Sequence, residues 1–147
     1  MRSIPRSRTN PQYNFDVVAD ELEPWQLGYR RIAELGGRRS RSKTVPPDVN
    51  AFWDNQSFHN YADYALSGEF ERGLDALLSI AAERRTAIMC AEAVWWRCHR
   101  RIVADYLLQR GRTVIHLMAE GRSEAARMTP AAVERDGRLV YPAPVTA

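Results

Sequence analysis

The chain has 147 residues, a mass of 16.8 kDa and 45% hydrophobic content, which suits one globular domain and leaves no room for two. Charged side chains make up 27%, and no run approaches the roughly 18 apolar residues that crossing a bilayer requires, so disordered, fibrous and membrane-spanning classes are excluded. The net charge is +3, but residues 1–43 carry nine basic and five acidic side chains against twelve and thirteen in the rest, so the positive field belongs to the N-terminal third.

Residues 1–14, with Pro5 and Pro11, read as a loop. Phe15, Val18, Ala19 and Leu22 recur at helical spacing, predicting a short helix that Asn14 caps and Pro24 ends. Tyr29–Ala33 is a candidate strand stopped by Gly36-Gly37, and the arginine-rich stretch 38–43 and the proline-containing stretch 44–57 are loops. A helix over Phe58–Leu66 precedes a stronger one over Glu69–Arg84, capped by Ser67, with Phe70, Leu74, Leu77, Leu78 and Ala81 on one stripe. Thr86–Cys90 reads as a parallel strand covered on both faces. A helix of about fourteen residues then ends near Gln109 with Gly111 as its stop, and Thr113–Met118 is a second strand. Strand, helix and strand form a βαβ unit, whose right-handed crossover makes the strands parallel and places Cys90 at a carboxyl-end tip, where such sheets bind ligands. Residues 119–147 are expected as a tail packed on the domain or partly flexible, with a possible edge strand at Leu139–Tyr141.

The chemistry concentrates in Cys90–Arg100, which holds two thiols, the Glu92 carboxylate, the His99 imidazole and two guanidiniums. On a helical wheel His99 falls near the centre of the sheet-facing side with Ile102, Val103 and Tyr106; Arg100 lies on its flank, and Arg97, Arg101 and Asp105 fall on the solvated side. A thiol between a strand tip and a helix N-terminus is a candidate thiolate, and the same amides with Arg100 suit an anion. A buried cysteine that merely packs and a histidine that merely caps are the competing explanation. The spacing excludes a phosphatase loop, since Trp96 stands six residues after Cys90 where an arginine is required; Cys-x-x-Cys and glycine-rich phosphate loops are also absent. Zinc could draw on Cys90, Cys98, His99 or His116, but adjacent ligands and seven intervening residues match no standard pattern, so no metal is assigned. Nothing in the spacing names a cofactor.

Cys90-Ala91-Glu92 followed by Cys98-His99-Arg100 resembles the domain-of-unknown-function 488 (DUF 488) family. The resemblance extends to Phe58-His59-Asn60-Tyr61-Ala62-Asp63-Tyr64, to Glu34-Leu35-Gly36-Gly37-Arg38, and to Arg2-Ser3-Ile4-Pro5-Arg6-Ser7-Arg8 with Asn10-Pro11-Gln12-Tyr13. It implies a three-layer α/β domain with a small, mostly parallel sheet and no established reaction. Members usually open with a strand bearing Thr-Ile-Gly-His-Ser, a helix and a second strand ending in Asp-Val-Arg. This chain begins at that arginine, so an N-terminally truncated sheet is expected, with an exposed edge along Tyr29 or Thr86 that invites self-association.

Two functions follow as expectations. One is an enzyme, or former enzyme, with Cys90, Glu92, Cys98 and His99 as its catalytic groups and Arg2, Ser7, Arg8, Gly36, Gly37 and Arg100 holding an anionic, phosphate-bearing small molecule or nucleotide. The other is a nucleic-acid-binding module, its arginine-rich N-terminal third on phosphates and Trp53, Phe58, Tyr61, Trp95 or Trp96 stacking on bases. Near Met1 the sequence is basic without an apolar stretch, so no export signal or lipid anchor is visible; a cytoplasmic protein with free thiols is expected.

Overall fold

A computed structural model describes residues 8–92 and 94–145; Arg2 and Ser7 of the expected substrate loop lie outside the described residues. Helix α1 (Phe15–Leu22) follows Asn14 in extended conformation and gives way to a 3₁₀ turn, Glu23–Trp25, at Pro24. Helix α2 (Gln56–Tyr64) starts two residues ahead of its expected boundary because the Asn55 side chain accepts from the backbone N–H of Ser57 at 2.9 Å and of Phe58 at 3.3 Å, satisfying donors that the first helical turn leaves open. Ser67 caps α3 (Gly68–Glu83) through Phe70 N–H. Helix α4 (Arg100–Gln109) is shorter than expected, with a separate 3₁₀ turn at Trp95–Arg97 before it, and it closes at Gly111 with φ +75°.

Three helices and the C-terminal segment share one core. Tyr61 and Ala62 of α2, Phe70, Leu74 and Leu77 of α3, and Ile102, Val103 and Tyr106 of α4 pack with Leu35, Trp53, Leu139 and Tyr141. The 3₁₀ turn Ala33–Leu35 delivers Leu35 to that core at full burial. It lies directly on α3, because Gly73 has no side chain: a Cβ there would stand 2.7 Å from that of Glu34.

The expected three-layer domain with a mostly parallel sheet is not what the chain forms. The described residues contain four α-helices and two separate two-stranded antiparallel sheets. Tyr29–Ala33 is not a strand, and Thr86–Cys90 is unpaired, with Thr86, Ala87 and Met89 exposed. The second expected strand narrows to β1 (Ile115–Leu117), which pairs antiparallel with β2 (Ser123–Ala125), Ile115 opposite Ala125. An extended stretch becomes a strand only when a neighbour supplies ladder partners and other layers cover its faces. Here α4 turns its apolar face to α2, α3 and Tyr141, so among the described residues nothing covers Thr86–Cys90 on both sides. β1 takes the partner reached by the short connection 118–122, whose closure costs less entropy than a crossover.

The second hairpin joins β3 (Val133–Arg135) to β4 (Arg138–Val140) through Asp136 and Gly137, both at positive φ (52° and 78°). That two-residue turn matches the twist of the flanking strands. Asp105, expected on the solvated side of its helix, is 1% exposed. The C-terminal segment covers that side, with Thr129 N–H and Tyr141 O–H donating to its two carboxylate oxygens at 2.9 Å each. Among the described residues no helix is long and apolar enough to cross a membrane.

Candidate functional site

Cys90 ends the unpaired segment 85–90, and Cys98 and His99 occupy the turn into α4. Cys98 is extended (φ −128°, ψ 149°) and His99 helical (φ −56°, ψ −15°), a change of direction that turns two consecutive side chains toward each other. His99 Nδ1 lies 3.4 Å from Cys98 Sγ. One ligand atom from each of Cys90, Cys98 and His99 lies within 4.8 Å of the others. Cys90 is partly exposed and Cys98 buried.

Main-chain and guanidinium donors hold these sulfurs. Arg100 directs its backbone N–H and its Nε to Cys98 Sγ at 3.4 and 3.3 Å, while its Nη2 donates to the Glu92 carbonyl at 2.6 Å. One arginine thus ties the loop after Cys90 to the start of α4. Glu92 acts through its main chain, its N–H also bonding to the Cys90 sulfur, and its side chain is exposed.

The His99 ring is fixed from two sides. Tyr61 packs against it with ring centroids 4.9 Å apart, and Tyr61 itself is anchored by donation to the Leu35 carbonyl at 2.9 Å. On the other side lies Gly37, where a Cβ would fall 2.7 Å from Cε1 and 2.8 Å from Cγ of the imidazole. Nε2 is buried without a hydrogen-bond partner among the described residues.

The pair of thiols shares one proton unequally. The Cys98 S–H donates to Cys90, and with the His99 and Glu92 bonds this pushes the Cys90 thiol far below its usual range despite partial burial. Cys98 moves up, first because it is the donor in that bond and then because it is desolvated; the Arg100 donors oppose the rise without cancelling it. Hydrogen bonding within the cluster thus favours the charged form of Cys90 and disfavours that of Cys98. Electrostatically this is the environment of a nucleophile; by donor type it is also a set of two sulfurs and one nitrogen that suits a soft metal ion.

Residues 1–107 match a family described as "Domain of unknown function DUF488". The chain belongs to the DUF488 family. The matched span includes the whole cluster and most of α4 and stops before both hairpins. No curated protein and no solved structure matches the chain.

Of the residues the sequence nominates, this DUF488 chain brings together Cys90, Cys98, His99, Arg100, the main chain of Glu92 and Gly37. Gly36 is buried, and its carbonyl accepts from Arg39 Nε at 3.1 Å, so it serves the turn below the site. Arg8 is exposed. Sequence reasoning missed Tyr61 as the wall behind His99, although it lies within a stretch that carries the family resemblance. Trp95, expected as a base-stacking candidate, instead stacks on His116 at 4.1 Å with an interplanar angle of 2° and donates Nε1–H to Glu124 at 2.6 Å, fastening the first hairpin beside the cluster.

Proposed function

We propose that this protein is an enzyme acting through the Cys90 sulfur on an anionic, electrophilic small molecule, with phosphate esters and nucleotides as the substrate class. The convergence of Cys90, Cys98 and His99 within 4.8 Å carries this reading. In it the Cys90 sulfur forms a bond to phosphorus as the ester P–O bond breaks, the leaving oxygen takes the Cys98 proton, and water then hydrolyses the S–P bond and returns a proton to Cys98 by way of His99. Arg100 supplies positive charge beside the sulfurs, and Arg2, Ser7 and Arg8 are assigned to the substrate's charge. A core packed only for stability has no use for two thiols, an imidazole and a guanidinium in mutual contact at a loop end.

The nucleic-acid alternative is less well supported. Trp53 and Tyr61 are buried, and Phe58 stacks on Trp53 at 4.9 Å. In the basic loop, Arg39 bonds the carbonyls of Gly36 and Ala33, lies 3.7 Å over the Tyr64 ring and pairs with Glu69. The adjacent groove of about 390 Å³ mixes Arg39 and Arg41 with Asp63 and Glu69, a balance of charge ill suited to a polyanion.

Iodoacetamide at pH 6 followed by mass-spectrometric mapping tests the proposal. Cys90 should alkylate well ahead of Cys98 and ahead of a free thiol of pKa about 8.5. If both cysteines of the native protein stay inert, the cluster packs rather than reacts and the proposal fails.

A further inference from the structure

The structure assigns a second capacity to the same cluster: Cys90, Cys98 and His99 bind a thiophilic divalent cation, Zn²⁺, through two sulfurs and one imidazole nitrogen, with the fourth position open. The inference shares Cys90 with the nucleophile reading and supplies its regulation, because an ion that occupies the sulfur lone pair masks it from an electrophile.

Geometry is the first support. A tetrahedral centre with bonds of about 2.3 Å to sulfur and about 2.0 Å to nitrogen needs ligand atoms about 3.5 to 3.8 Å apart. Cys98 Sγ and His99 Nδ1 already stand at 3.4 Å, and the whole triad falls within 4.8 Å. The adjustment left over belongs to Cys90, at the end of segment 85–90, which has no strand partner among the described residues.

The surrounding layer is the second. Metal sites orient their ligands through outer hydrogen bonds, and here the N–H groups of Arg100 and Glu92 point at the two sulfurs. Gly37 and Tyr61 clamp the imidazole plane. Donor type is the third: two thiolates and a neutral imidazole match a soft or borderline ion and exclude Mg²⁺ or Ca²⁺, which take oxygen. Charge balances as well, since Cys98 gives its proton to solvent on binding and two thiolates then neutralise the ion. Adjacent ligands match no standard spacing, and only the turn at Cys98–His99 makes them converge.

The test uses the full chain, reduced, freed of metal with a chelator and titrated with Co²⁺. A sulfur-to-cobalt charge-transfer band with tetrahedral d–d absorption should saturate at one equivalent and disappear on adding Zn²⁺. Zn²⁺ at a free concentration of about a hundred times its Kd should slow Cys90 alkylation roughly a hundredfold. In folded His99→Gln the cobalt titration should weaken by roughly tenfold or more. Absence of the band from folded wild-type protein whose Cys90 alkylates readily overturns the metal site and leaves the nucleophile reading standing. A band in protein whose metal-free Cys90 is inert does the reverse. An unchanged titration in folded His99→Gln overturns the three-ligand assignment.

Discussion

Removing Cys98 should change Cys90 more than any other single substitution near it, since the Cys98 S–H is the foremost cause of the lowered Cys90 pKa. Cys98→Ala takes away that donor, so the Cys90 pKa should rise and the acid limb of its alkylation profile should move to higher pH, with slower reaction at pH 6 and little change at pH 9. A profile that does not move would mean that His99 and Glu92 suffice. Gly37→Ala should act through space: its methyl would collide with the imidazole, and overpacking of this kind costs typically about 1 to 3 kcal/mol. Gly28→Ala is the control, because nothing lies within 4 Å of a Cβ there; denaturant midpoints should separate the two variants. At this scale Cys90, Cys98, His99 and Arg100 were legible from their density in eleven residues. Gly37 also packs on the imidazole, a role that was not legible because a glycine in sequence does not reveal which neighbour needs its space.

The helices were legible as elements; of the strands, those at Ile115–Leu117 and Arg138–Val140 fall within or beside expected stretches, but their antiparallel partners were not legible. An apolar stripe such as Phe70, Leu74 and Leu77 belongs to one segment and can be read from it. A ladder belongs to two segments, and Thr86–Cys90 has the composition of a buried strand without a partner to make it one. The Asp136-Gly137 pair is the clearest hairpin signal in the chain, and it joins antiparallel neighbours rather than members of a parallel sheet. The first hairpin offers a pH test. Burial against Trp95 lowers the His116 pKa below 6.5, with Arg100 adding to and Glu124 opposing the shift. A depressed folded pKa gives stability that is present above about pH 6.5 and lost as pH falls through the folded value. Unfolding temperature should therefore drop from pH 7.5 to pH 5, and His116→Phe, which keeps an aromatic face for Trp95, should flatten that drop. An equal drop in the variant would place the acid sensitivity elsewhere.

Across the whole molecule, a buried polar network ties the C-terminal segment to the helical core. Tyr141 N–H donates to Asn50 Oδ1 at 2.9 Å, Asn50 donates to Asp63 at 2.7 Å, and Phe52 N–H donates to the Tyr141 carbonyl at 3.0 Å. Burial raises the Asp105 pKa against the pull of its Thr129 and Tyr141 donors, so losing one donor leaves a desolvated oxygen unsatisfied. Tyr141→Phe should cost about 1 to 3 kcal/mol in a denaturant titration, while thiol reactivity at Cys90 in the folded fraction stays unchanged. A neutral result would mean that water replaces the phenol. Full burial of Tyr141 among residues 35–106 also sets a schedule for biosynthesis. A nascent chain emerges N-terminus first, so α2, α3 and α4 leave the ribosome with their shared apolar faces uncovered and the Asp105 carboxylate unpaired. Until Tyr141 has cleared the exit tunnel, the emerging polypeptide lacks the segment that completes this core.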